Sequence, residues 1–119
     1  MTSSDSVGST LRTARLERAS TDPRHFSIRA IAGRLGASAS WLSMVERDVQ
    51  RPTEEMLRAL AEELDLDAEL LLPQAGRVPA DVIAMLLERP ALVDAVRALR
   101  AIPDADIART IRHVRDGHW

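Results

Sequence analysis

The amino-acid sequence predicts an all-α protein on three observations. Its apolar residues are overwhelmingly Ala, Leu, Val and Ile, with no Tyr and only Phe26, Trp41 and Trp119 as aromatics, a composition that favours helices. Segment after segment repeats apolar residues at the i, i+3, i+4, i+7 spacing of one helix face. Most of these segments open on Ser, Thr, Asp or Pro, and Gly36 and Gly117 stand at helix ends, the start and stop signals of short helices.

Residues 1–9 are Ser-, Thr- and Gly-rich without periodicity, so they are expected to form a disordered arm; with no Arg before Arg12, the arm lacks the charge to hold a polyanion. Leu11, Ala14, Leu16 and Ala19 predict a first helix from about Thr10 to Ala19, stopped by the turn signal Asp22-Pro23. Ser27 caps a second helix with the stripe Ile28, Ile31, Ala32 and Leu35, ended by Gly36, which can adopt positive φ. Ser38 caps a third, running to about Arg47 with Trp41, Leu42 and Val45 on one face. Only Gly36 and Ala37 separate the two, an abrupt helix-turn-helix.

Thr53, with Glu54 and Glu55 in the first turn, starts a fourth helix on Met56, Leu57, Leu60, Ala61 and Leu64, and Asp67 caps a short fifth. The Pro/Gly stretch Pro73–Pro79 reads as a linker. Beyond it, Pro79, Pro90 and Pro103 each open a helix. The organisation expected is an arm over 1–9, a helical domain over 10–72, a linker over 73–79 and a helical region over 80–117. The last three stripes, Val82, Ile83, Leu86 and Leu87, then Leu92, Val93, Val96 and Leu99, then Ile107, Ile111 and Val114, form too small a core to stand free. They are expected to pack on the N-terminal domain or on a second subunit; in the second case, the reading taken here, Val82, Leu86, Leu92, Val93, Val96, Leu99, Ile107 and Ile111 are the candidate dimerisation residues.

All sixteen basic residues are Arg, which suits a GC-rich genome and also bidentate contacts to phosphate or guanine. Net charge is only −2, yet Thr10 to Thr53 carries eight Arg against four acids, whereas Glu54 to Pro73 carries one Arg against seven. An anionic partner is expected to meet the N-terminal half. The chain has no Cys, which excludes disulfides, thiol switches and Cys-ligated metals. It also lacks a signal-peptide pattern and any apolar run of roughly twenty residues, so no membrane association is expected and the protein is expected to be cytoplasmic, nucleoid-associated when on DNA.

Helix-turn-helix geometry lays the second helix in the major groove of double-stranded DNA and the first across the backbone. The candidate base-contacting residues are then Ala39, Ser40, Trp41, Ser43 and Met44. Ala39 offers a thymine methyl contact, Ser40 and Ser43 can bond base edges or phosphates, and Trp41 either joins Leu42 and Val45 in the core or lies on the sugar-phosphate. Candidate phosphate contacts are Ser27, Arg29, Arg34, Ser38, Arg47, Gln50 and Arg51, where Gln50 reads equally as a base contact or a loop surface residue. So equipped, the helix is expected to favour T-rich or shape-defined half-sites.

The stretch from Ser27 to Leu71, with Ile31-Ala32, Gly36, Ala37, Ser38, Ser43, Glu46, Arg47 and Pro52 in register, resembles the XRE family of lambda-repressor-like regulators. The resemblance covers roughly Leu11 to Leu72 and implies a five-helix DNA-binding domain, with Ala39 to Met44 in the major groove and Trp41 where a subgroup carries Tyr. Two departures are Ile28, where the family often has a phosphate-binding Gln, and Asp48, where Gly usually takes a left-handed turn. The function expected is a dimeric (auto)repressor on a pseudo-palindromic operator. An alternative is an antitoxin or phage-type immunity regulator whose C-terminal helices bind a toxin or regulatory protease.

An enzyme is not expected: no nucleophile has a base beside it, and no catalytic residue, cofactor or metal site is assigned. His25, His113 and His118 lack a ligand-spaced acidic partner and read as solvated residues.

Overall fold

The computed structural model describes residues 6–117 and is helical throughout, without a strand among them. Eight helices follow in order: α1 (Val7–Ala19), α2 (Ile28–Arg34), α3 (Ala39–Glu46), α4 (Glu54–Leu64), α5 (Ala68–Gln74), α6 (Ala80–Glu88), α7 (Pro90–Leu99) and α8 (Asp104–Arg115). The chain divides between Pro79 and Ala80 into two units. None of the described helices is long and apolar enough to cross a membrane.

Local signals set the helix starts. The side chains of Ser27, Ser38, Thr53 and Asp67 accept from backbone N–H groups in the first turns of α2, α3, α4 and α5, satisfying donors that the helix itself leaves orphaned. The ends share one closure. Gly36 (φ 72°), Asp48 (φ 61°), Asp65 (φ 53°) and Gly76 (φ 68°) are left-handed, and the following N–H reaches back five residues, as in Ala37 to the Ala32 carbonyl and Val49 to the Met44 carbonyl, both at 2.9 Å. Asp48 thus makes the turn expected of it in place of Gly.

Two boundaries depart from expectation. α1 starts at Val7, not near Thr10, so Ser6 to Ser9 are not a disordered arm. The Ser6 hydroxyl accepts from the Ser9 N–H at 3.1 Å, and buried Val7 stands one turn before Leu11, extending the stripe over a stretch of small residues. Residues 1–5 of the expected arm, and His118, lie outside the described residues. α5 continues through Pro73 to Gln74, because the Leu71 and Leu72 side chains are buried and the Gly76 turn closes on the Pro73 and Leu72 carbonyls. The expected linker over 73–79 is correspondingly shorter.

In the first unit, one core gathers Val7, Leu11, Ile31, Ala32, Leu42, Val45, Leu57, Leu60, Ala61, Leu64, Leu71 and Leu72. α3 packs on α1 and α2, and α4 on α1 and α5. The approach of α1 to α3 is very close at Gly8, where an added Cβ would stand 2.6 Å from the Val45 carbonyl oxygen and 2.7 Å from that of Glu46. Gly8 lies inside a helix, at some entropic cost, because only hydrogen fits there. In the second unit, α6 packs on α7.

Gly8→Ala is expected to destabilise the protein by ~1–3 kcal/mol through overpacking, whereas Gly33→Ala, with nothing within 4 Å of the added carbon, is expected to stabilise it by ~0.4–1 kcal/mol. Urea unfolding of the two variants checks both signs.

Candidate nucleic-acid interface

α3 buries Leu42, Val45 and Glu46, and at 100° per residue that leaves an outward face centred on Ser40 and Arg47 and flanked by Ala39, Ser43 and Met44. Those five, with Ile28 at the start of α2, line one open concavity. Four of the five expected base-contacting residues therefore share a surface. Trp41 does not line it: half-buried, it packs against the core, on the side of α3 turned away from Ser40 and Arg47. Of the two roles open to Trp41 in the sequence, its packing favours the first.

The orientation of this face is fixed by a buried ion pair. Arg15 in α1 donates to Glu46 at the end of α3 through Nε at 2.6 Å and Nη2 at 2.9 Å, a bidentate pair, and its Nη1 reaches the Phe26 carbonyl at 3.3 Å. The two side chains are 10% and 4% exposed. Two residues beyond the helix, Asp48 accepts from the Gly8 N–H at 3.0 Å, so the start of α1 is tied to the end of α3. Neither contact was read from the sequence, where Glu46 figured only as a motif residue and Arg15 as one of eight positive charges.

The candidate phosphate contacts divide into two groups. Arg29, Arg47 and Gln50 are exposed, and their side chains make no hydrogen bond or ion pair among the described residues. Ser27 and Ser38 use their oxygens to accept from Ala30 and Trp41 N–H groups at 3.0 Å, which leaves each hydroxyl hydrogen available to donate.

Arg34 and Arg51 depart from the clamp read in the sequence. Arg34 bonds Glu63 in α4 at 2.8 Å and the His25 carbonyl at 2.9 Å. Arg51 donates to the Ala75 and Gly76 carbonyls at 3.1 and 2.8 Å, while Arg77 returns a bond to the Pro52 carbonyl at 2.7 Å. Helix-terminal carbonyls attract guanidinium groups because they lack intrahelical partners. These arginines brace the loop after α3 and the α2–α4 junction. The sequence offered no signal for this, since an Arg beside a turn looks the same whether its partner is a phosphate or a carbonyl.

A family model described as a helix-turn-helix domain matches residues 6–73. Two uncharacterized HTH-type transcriptional regulators of Mycobacterium tuberculosis, from strains CDC 1551 and H37Rv, are each 37% identical to the chain over 59 residues. The aligned stretch is 50% of this chain and 42% of each relative, so the chain spans less than half the length of the curated relatives it matches. No solved structure matches.

Glu46→Ala leaves the Arg15 charge buried without a counterion and is expected to cost ~3–5 kcal/mol in unfolding free energy. The paired replacement Arg15→Met with Glu46→Leu is expected to recover most of that loss in the same urea titration.

Proposed function

Because the chain belongs to the helix-turn-helix domain family, with more than half of its 119 residues inside the match, we propose that it is a DNA-binding transcriptional regulator acting as a dimeric repressor on a pseudo-palindromic operator. The observation that carries the reading is the α3 face: small and polar side chains outward, an uncommitted arginine at its centre, and a buried ion pair holding it in place.

In this reading Ala39, Ser40, Ser43 and Met44 meet base edges in the major groove, and Trp41 supports the helix from behind. Arg29 and Arg47, with the hydroxyls of Ser27 and Ser38 and the amide of Gln50, supply the phosphate contacts that set affinity. Methyl and hydroxyl groups discriminate bases weakly, so specificity falls on T-rich or shape-defined half-sites and on the spacing of two such helices ~34 Å apart. That spacing requires a dimer, and the apolar side chains of α6 to α8 supply a surface for one. Val82, Leu86, Leu92, Val93 and Ile107 are only partly covered, and Val96, Leu99 and Ile111 are exposed. The compartment that follows is the cytoplasm.

Gel shifts on the protein's own promoter test the reading. Arg47→Ala and Arg29→Ala are each expected to weaken binding and lower the slope of log affinity against log salt by ~1. Arg34→Ala and Arg51→Ala are expected to leave the slope unchanged while lowering the unfolding midpoint. Wild-type protein that binds no segment of that promoter above its affinity for random DNA removes the autorepressor; slopes unchanged by Arg47→Ala and Arg29→Ala remove those residues from the interface.

A further inference from the structure

No residue of α6, α7 or α8 is buried. Within this unit an apolar groove of about 300 Å³ is lined by Leu99 of α7 and by Ile107, Thr110, Ile111, Val114 and Arg115 of α8. Ile111 and Val114 are 54% and 56% exposed, so the stripe that should be the inner face of an amphipathic helix faces outward.

The charges on α8 indicate what covers it. At 100° per residue, Ile107, Ile111 and Val114 fall within an arc of ~60°. Asp104 and Arg115, the first and last residues of the helix, lie on the same flank of that arc, ~20° apart in projection. Both are exposed, and neither takes part in an ion pair among the described residues. Two such helices laid antiparallel bring like flanks together, so the acidic start of each meets the basic end of the other, twice by symmetry. A parallel pair sets Asp104 of one copy towards the opposite flank of the other, where Asp106 already holds Arg109 at 3.0 Å, so Asp104 meets no uncommitted cation there. The pattern is self-complementary in one orientation only, which is the signature of a two-fold interface between identical chains.

We propose that α8 pairs antiparallel with α8 of a second copy of this chain, across Ile107, Ile111 and Val114, with Asp104 of each copy bonded to Arg115 of the other. This rests on the dimeric reading above and gives that dimer its contact helix and its orientation. The apolar stripe supplies the association, and the paired ends set the direction.

Sedimentation of the full chain at low salt, where exposed pairs are least screened, provides the test. Asp104→Arg and Arg115→Asp, which each turn two attractions into two repulsions, are expected to weaken the dimer about tenfold, and the double exchange to restore it to within about threefold. Mere damage to α8 would not be rescued, because the double exchange also removes one of the two anions of the first turn, leaving only Asp106 there.

The absence of Cys allows a second measurement. An equimolar mixture of Asp104→Cys and Arg115→Cys chains is expected to give dimers with a short bismaleimide, while each variant alone gives none, since eleven residues of helix separate the two positions by ~16 Å. Cross-linking of Asp104→Cys alone means a parallel pair and overturns the proposal. A dimer that ignores both charge exchanges and does not cross-link in the mixture also overturns it, but leaves the dimeric regulator standing. A wild-type chain that sediments as a monomer at every concentration overturns the dimer itself, and this contact with it.

Discussion

Helix α3 of this protein is held by a charge pair almost wholly shielded from water. Arg15 and Glu46 meet bidentately beneath the end of α3, and a third arginine nitrogen takes the Phe26 carbonyl of the chain entering α2. Such a pair adds little net stability, because desolvating two ions offsets most of their attraction. What it provides is a unique arrangement: a planar guanidinium on a planar carboxylate permits one relative placement of α1 and α3. The hydrogen-only contact at Gly8 and the Asp48 bond to its N–H restrict the same placement at a second point. Every outward residue of α3 inherits its direction from these three contacts.

A division of labour among arginines follows. Arg15 and Arg18 are directed inward, Arg18 to the Leu64 carbonyl at the end of α4; Arg34, Arg51 and Arg77 close loops and helix ends. Arg12, Arg24, Arg29 and Arg47 are exposed, and their side chains make no hydrogen bond or ion pair among the described residues. Counting positive charge along the N-terminal half therefore overstates what is available to a polyanion, because a guanidinium that already donates to a carboxylate or carbonyl must give up that bond before it can serve a phosphate. The affinity term in the proposed interface rests on fewer side chains than the charge distribution implies, which makes pairing of two reading heads the more necessary.

The second unit shows the opposite economy. The first unit buries twelve apolar residues in one core, whereas α6 to α8 leave their stripes at the surface. Three short amphipathic helices enclose too little volume to hide one face each, which is what the proposed dimer would remedy.

Much of this was legible in the sequence because it is governed by neighbours within a turn or two. Caps at Ser27, Ser38, Thr53 and Asp67, the left-handed ends at Gly36 and Asp48, and the set Ala39, Ser40, Ser43 and Met44 all follow from periodicity and side-chain hydrogen bonding at short range. The start of α1 was obscured because Val7 stands alone among small residues, and the last residues of α5 because Pro73 imitates a stop. Tertiary structure alone decided which arginines are braces, that half-buried Trp41 packs against the core, and how α3 is set on α1. The reason is separation along the chain: Arg15 finds Glu46 across 31 residues and Arg18 finds Leu64 across 46. No local pattern distinguishes a charge that will meet a partner at that distance from one that will meet only solvent or a phosphate.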